Sequence, residues 1–326
     1  MKKALIASTA LVLTAGVAAA DVTISGYGRT GIIYYENTDA QDAAGLNETQ
    51  VYSRLRMNID ASTSTDQGVD FGARFRLQWD QNAETEGQLN AGKLWVTSNG
   101  FTVEVGNIDT AFDSAELLYA SELGSYDRSV GGNPLGDFYA YESNSLDDAE
   151  YNGVRVVYSV GDLTVQASYV DPDQSGLNEG RDMKEELGFA VDYVWNERLE
   201  LSAAAVLDGY GYEDNDQYFV GARYAVMDNA RIGLNYYDNG DVYWVNHSEN
   251  DLGNTITLYG DYTLADGLTN IEAYIANNSG DWAEKETDNS FGIGVNYDLG
   301  GARLGASLQR DYNERVTADM GVRFEF

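Results

Sequence analysis

The 326-residue chain has no cysteine, one histidine, two prolines, and only 20 Lys and Arg against 53 Asp and Glu. Without cysteine there is no disulfide framework and no thiolate metal site, so a bound metal ion would rely on oxygen donors, with His247 as the one imidazole. The scarcity of bases excludes nucleic acid as a partner, because phosphate contacts need clustered Lys and Arg. Long apolar runs are also missing after the first twenty residues, which rules out transmembrane helices there. The opening "MKKALIASTALVLTAGVAAA" has two lysines, an apolar run and small residues at Ala18 and Ala20, the pattern of a secretory signal peptide cleaved before Asp21. It is alanine-rich and short for a membrane span, which argues against an anchor. Removing residues 1–20 takes the formal net charge from −33 to −35.

What fills the rest is alternation. Sixteen runs of apolar and polar residues in strict succession follow Asp21, at 22–35, 49–62, 68–80, 91–98, 101–107, 151–159, 162–170, 185–195, 199–208, 216–226, 230–238, 253–264, 268–277, 289–298, 301–311 and 316–326. In "GVDFGARFRLQWDQ", Val69, Phe71, Ala73, Phe75, Leu77 and Trp79 share one face, and Asp70, Gly72, Arg74, Arg76, Gln78 and Asp80 share the other. Short links ("STDQ", "NG", "GD", "NER", "MDN", "ADG", "GG") alternate with long Asp/Asn/Gly-rich ones. Both prolines, Pro134 and Pro172, fall in long links, where no ladder donor is lost. A soluble sandwich would not sort all its short turns to one end; an even-stranded up-and-down barrel does. Short turns, long loops at the opposite end, alternating segments near ten residues and aromatics toward strand ends (Tyr35, Trp79, Tyr169, Tyr193, Tyr236, Tyr237 and Phe324 among them) are the signature of an all-β, 16-stranded antiparallel transmembrane barrel.

The stretches "DVTISGYGRTGIIY", "SRLRMNIDASTSTDQGVDFGARFRL", "GNIDTAFD" and "ADMGVRFEF" are similar to those of the outer-membrane general diffusion porins, the Rhodobacter type in particular. The resemblance spans residues 21–326. It implies a homotrimer of barrels in the bacterial outer membrane, in contact with its lipids, passing small hydrophilic solutes and ions. It also implies a third external loop folded inward, and in Phe326 a terminal aromatic that serves as the membrane-insertion signal.

That third loop is Asp109 to Glu150, a length that tends to be functional in a compact domain. It holds ten carboxylates, among them Asp109, Asp113, Glu116, Glu122, Asp127, Asp137 and Glu142, against one base, Arg128. A barrel of 16 strands encloses an aqueous lumen that something must narrow. "SAELLYASEL" reads as the one short helix-like stretch, with Leu117, Leu118 and Leu123 available to dock on the inner wall. By parity Arg29, Arg54, Arg56, Arg74 and Arg76 face the lumen from three adjacent strands, with Lys93 a further candidate. Acid on one side and base on the other predicts a constriction with a transverse field and, since carboxylates are in excess, mild cation selectivity.

Two other function classes are open to such a chain. A barrel hydrolase needs a nucleophile with a base in reach and a third orienting group. His247 lies in "WVNHSEND" with Ser248 as its direct neighbour, which argues against a triad. A secreted adhesin conflicts with the lipid-facing alternation. No cofactor is required, but "DPDQSGLNEGRD" places Asp171, Asp173, Ser175, Glu179 and Asp182 at positions 1, 3, 5, 9 and 12 of a calcium-loop template, with Gly176 at the turn. No helices flank it and its last ligand is the shorter Asp, so the expectation is a surface Ca2+ site and not an EF-hand.

Overall fold

In the computed structural model the described residues are 21–81, 87–126, 131–133, 138–143, 151–174, 183–243 and 249–326. Residues 1–20, the expected signal peptide, lie outside them.

Period-two alternation produces sixteen barrel strands: β1 Asp21–Tyr35, β2 Thr49–Ser64, β3 Asp70–Asp80, β4 Lys93–Ser98, β5 Phe101–Gly106, β6 Asn152–Val160, β7 Leu163–Asp171, β8 Glu186–Trp195, β9 Leu199–Leu207, β10 Gln217–Met227, β11 Ala230–Asp238, β12 Asn254–Thr263, β13 Thr269–Asn278, β14 Asn289–Asp298, β15 Ala302–Arg310 and β16 Val316–Glu325. Each pairs antiparallel with its sequence neighbours, and β1 also pairs with β16, from Tyr27 opposite Glu325 to Tyr35 opposite Thr317, which closes the ring. Gly26 and Phe326 exchange backbone hydrogen bonds of 2.9 and 3.0 Å, so the last residue of the chain extends the seam. A two-residue segment, Gln88–Leu89, adds a short pairing on β3, and Asp241–Tyr243 with Glu249–Asp251 form a separate small hairpin.

Turn chemistry fits the "NG" link between β4 and β5. Asn99 and Gly100 both have positive φ, 51° and 83°, as a two-residue type I′ hairpin requires. No helix among the described residues is long and apolar enough to cross a membrane. The strands do the crossing, and their burial is inverted relative to a soluble protein. On β8, Leu187, Phe189, Val191 and Tyr193 are exposed, whereas Glu186, Gly188, Ala190 and Asp192 are buried. The same outward apolar face recurs around the ring, with Val220, Leu234, Ile256, Ile275, Ile293, Leu308 and Met320 all more than half exposed. A surface of that extent is unsuited to water and suited to hydrocarbon.

Aromatic side chains fringe this outer band, with Trp79, Tyr169, Tyr193, Trp195, Tyr236 and Phe324 exposed. Two of the expected fringe residues lie elsewhere. Tyr237 is buried on the polar face, and Tyr35 meets the Tyr126 ring of the long connection at 6.2 Å. Both sit one residue out of parity with a neighbouring tyrosine, so each Tyr-Tyr pair sends one ring to each face.

Leu234, mid-strand on β11 and 54% exposed, provides a test of the outward face. Leu234→Arg is expected to destabilise the barrel by about 2–4 kcal/mol in bilayers, read from urea unfolding in liposomes, although exposed positions of soluble proteins tolerate such changes.

Candidate functional site

The polar face of the wall carries the candidate residues. β2 and β3 place Arg54, Arg56, Arg74 and Arg76 on it, and β1 adds Arg29. Their partners differ. Arg54 pairs with Asp80 at 2.5 Å, and Arg74 grips Asp60 with two hydrogen bonds of 2.7 and 3.1 Å. Arg56 and Arg76 bond to the amide oxygens of Gln78 and Asn58, at 2.5 and 3.1 Å, and Arg76 also reaches the Ser143 carbonyl at 3.5 Å. Arg29 donates to the Tyr126 carbonyl at 2.5 Å, with its guanidinium 5.0 Å from that tyrosine's ring centroid.

The connection between β5 and β6 begins in a buried ion cluster. Lys93 bridges Glu104 at 3.2 Å and Asp109 at 2.6 Å, and Arg155 approaches the same two carboxylates at 3.2 and 3.8 Å. Arg155 also donates to Ser114 Oγ at 2.8 Å. Charges this enclosed need each other, since removing one strands its partner. Lys93 thus serves the root of the connection, and Glu104 and Arg155, which the sequence reading did not single out, complete the cluster. Their inward parity on β5 and β6 was the available signal.

From there the chain makes a succession of turns. Ala115, Leu118, Ala120 and Glu122 each donate a backbone bond three residues back, to Phe112, Ala115, Leu117 and Tyr119. The expected helix over "SAELLYASEL" is therefore absent, and the described α-helix is the five-residue Asp39–Ala43 in the β1–β2 link. The reason is capture by the wall. Asn235 takes the Leu117 carbonyl at 2.8 Å and Tyr237 takes that of Leu118 at 3.0 Å, both acceptors that a helix would have used. The leucines do dock. Leu117 and Leu118 join Phe112, Ala115 and Phe138 against Ala190, Val206, Phe219 and Tyr237, and Leu123 packs with Tyr259, Tyr274 and Trp282. Each such side chain contributes on the order of 1.5–3 kcal/mol of burial.

Further bonds fix the segment to strands far apart in the ring. Ala111 N–H donates to Ser168 of β7 at 2.9 Å, Glu116 N–H to Asp192 of β8 at 3.0 Å, and Gln217 of β10 donates to the Tyr139 carbonyl at 2.6 Å. Thr257 of β12 bonds the Gly131 carbonyl. At the far side Asp319 of β16 accepts from Ser125 N–H at 2.9 Å and from its hydroxyl at 2.7 Å, while Ser307 and Tyr52 bond the same group of atoms. Gly124 makes that approach, with φ 76°; a Cβ there would fall 2.6 Å from Asp319 Oδ2.

The segment's carboxylates have separate surroundings. Asp109 is in the ion cluster, and Asp113 turns back to accept from Tyr119 at 2.5 Å and Ser143 N–H at 3.0 Å. Glu116 and Glu142 are exposed, and Glu122 lines a small recess with Arg223 and Arg231. Asp127, Arg128 and Asp137 lie outside the described residues, as do His247 and Ser248. Of the calcium template, Asp171 accepts the Asp173 amide at 3.0 Å; Ser175, Gly176, Glu179 and Asp182 are outside the described residues.

A family model described as Gram-negative porin matches residues 7–316. The chain belongs to the Gram-negative porin family. It is 41% identical over 313 residues to a porin of Fuscovulum blasticum, covering 94% of this chain and 100% of that protein. A porin of Rhodobacter capsulatus is 25% identical over 349 residues, with the same coverage of 94% and 100%. Among solved structures, a variant of the Rhodopseudomonas blastica porin has a TM-score of 0.80 at 38% identity, covering 94% of this chain and 100% of that one. This porin is a passive diffusion channel of the outer membrane, a multi-pass barrel of sixteen strands; its family is one of channels and not of enzymes.

Asp319 offers a local test. Asp319→Ala leaves the Ser125 amide and two hydroxyls without their acceptor, a cost of about 1–3 kcal/mol. The segment should then detach more often at this end, read as increased open-channel current noise with the mean conductance retained.

Proposed function

We propose that residues 109–150 cross the lumen and set the size and charge preference of the channel, which passes small hydrophilic solutes and ions. The observation that carries this reading is the set of bonds from the segment to the polar face of β7, β8, β10, β11, β12, β16 and β1. A segment outside a closed ring could reach the same face of strands in both halves only by circling it. In this reading the acidic segment, with Asp109, Asp113, Glu116, Glu122, Asp127, Asp137 and Glu142, stands against the wall of Arg29, Arg54, Arg56, Arg74 and Arg76. The working form is a homotrimer embedded in outer-membrane lipid, as the porin resemblance implies. Residues 1–20 are the export signal, and Phe326 is the insertion signal.

Screening acts over about 8 Å at physiological ionic strength, so the charges at the narrowest point dominate ion preference. With carboxylates in excess the channel should prefer cations mildly. Neutralising Arg54, Arg56, Arg74 and Arg76 should strengthen that preference markedly in reversal-potential measurements under a salt gradient. Deleting roughly Glu116 to Gly136 should instead enlarge the conductance and weaken discrimination by size. An unchanged potential in the first variant and an unchanged conductance in the second would refute the constriction.

Calcium binding at Asp171, Asp173, Ser175, Glu179 and Asp182 is proposed as an accessory feature. What supports it is the tight turn at Asp171, whose carboxylate already holds the Asp173 amide. Millimolar calcium should raise the thermal dissociation temperature of the oligomer, since a ligand that binds only the folded state stabilises it, and Asp171→Asn with Asp173→Asn should abolish the shift. An equal shift in the double variant would remove the site.

A further inference from the structure

Trp79 and Trp195 belong to the exposed outer fringe of the barrel, but Trp95 of β4 does not. It shares the parity of Lys93 and stands opposite Gly72 of β3 on one side and Glu104 of β5 on the other, which puts it on the polar face. A Cβ at Gly72 would fall 2.1 Å from Cε2 and Cζ2 of the indole, so the ring occupies the space that the absent side chain leaves. Among the described residues no acceptor takes the indole N–H. A tryptophan enclosed by protein usually finds such a partner.

Trp95 lines a recess of about 330 Å3, at the small end of ligand-site volumes, which run from roughly 300 to 1,000 Å3. The lining is mixed in kind. Thr97 and Thr102 supply hydroxyls bonded to each other at 2.9 Å, and Val157 of β6 supplies an apolar patch. The ion cluster at the root of the acidic segment supplies the rest, together with Arg74. Every base there already has a carboxylate: Arg74 has Asp60 at 2.7 Å, Lys93 has Asp109 at 2.6 Å, and Arg155 has Glu104 at 3.2 Å. Three acids against three bases leave no net charge to hold an ion of either sign. Hydrogen-bonding capacity does remain, because a carboxylate has about four acceptor sites. Both ion contacts of Asp109 fall on Oδ2, which leaves Oδ1 as an acceptor on a side chain 22% exposed.

We propose that Trp95, with Thr97, Thr102 and Asp109, forms a binding station for a neutral cyclic polyol, a monosaccharide in its ring form. Such a solute has two kinds of surface. Its C–H face suits the electron-rich face of an indole, and its hydroxyl edge both donates and accepts hydrogen bonds. A hydroxyl can join a paired carboxylate without separating it from its base, whereas an ion would have to displace a partner and strand a buried charge. The station holds its solute weakly and releases it, as a site in a conducting path must. It rests on the channel reading of this protein, and KCl conductance in the absence of any sugar tests that reading separately.

The test is the single-channel conductance of the intact protein in planar bilayers, in KCl, as glucose is added. Mannitol, an open-chain polyol of similar size with no ring face, forms the parallel arm. Both solutes slow ions through viscosity in proportion to their concentration, and glucose should add a saturable decrease, half-complete in the tens-of-millimolar range. Trp95→Ala should raise that half-point about tenfold and retain the conductance without sugar. Trp95→Phe, which keeps a ring, should raise it by a smaller factor, and Gly72→Ala, which puts a methyl group where the indole lies, should act like Trp95→Ala. These two variants decide the matter alone if Trp95→Ala does not insert. Trp195→Phe, on the outer fringe, should leave the half-point unchanged. A decrease with glucose no greater than with mannitol, an equal half-point in parent and Trp95 variants, or an equal rise in the Trp195 variant would overturn the station.

Discussion

The structure depends on one constraint: in hydrocarbon no water is available to pair backbone N–H and C=O groups, so every one must be satisfied within the protein. Antiparallel strands satisfy it only if the sheet has no edge, and the β1–β16 pairing removes the edge. Everything else follows from closure. Side chains can point only toward lipid or toward the lumen, which fixes the period-two sequence pattern. A ring of sixteen leaves a lumen too wide to be filled by its own side chains. Extra chain has to enter if the passage is to be narrow, and that chain brings its own unpaired backbone groups with it.

The β5–β6 connection satisfies its own groups in two ways. Apolar side chains such as Phe112, Leu117 and Leu118 pack against small or aromatic residues of the wall, forming the apolar core that the barrel otherwise lacks. Its backbone is then paired from the wall: Asn235, Tyr237, Gln217 and Thr257 donate to carbonyls, and Ser168, Asp192, Glu186 and Asp319 accept from amides. Several polar-face residues that look like pore lining in the sequence, Ser168, Asp192, Gln217, Asn235 and Asp319 among them, are the hydrogen-bonding partners of one irregular segment. The division of labour explains why side chains on the inner face are so often buried.

This also accounts for how far the sequence could be read. Strand positions were legible within a residue or two, because each depends on a local period and on turn residues adjacent in the chain; the run read at 185–195 forms Glu186–Trp195. That Arg54, Arg56, Arg74 and Arg76 share the polar face was legible for the same reason. The helix read at "SAELLYASEL" failed because its competitors are remote: Asn235 and Tyr237 lie more than a hundred residues further on and take the carbonyls that helical bonds would need. Glu104 and Arg155 were missed likewise, since what gives them a role is each other and Lys93. A pattern in sequence gives the face a residue occupies; the partner on that face depends on register between distant strands.

Register itself is protected by the charges. A slip of one residue in β2 or β3 would turn Arg54 and Arg56, or Arg74 and Arg76, from the lumen to the lipid, at about 2–4 kcal/mol for each arginine near the midplane. Against that, the repulsion where Arg303, Arg323, Arg29 and Arg54 stand opposite one another across β15, β16, β1 and β2 is a modest cost, of the order of 0.2–1 kcal/mol per pair. The same side chains therefore make the alternative registers costly. A neutral wall would lose this protection, because an uncharged polar residue tolerates the lipid face far better than an arginine does. Where the backbone alone specifies register weakly, guanidinium groups on one face of a strand are a strong signal for which face points away from lipid.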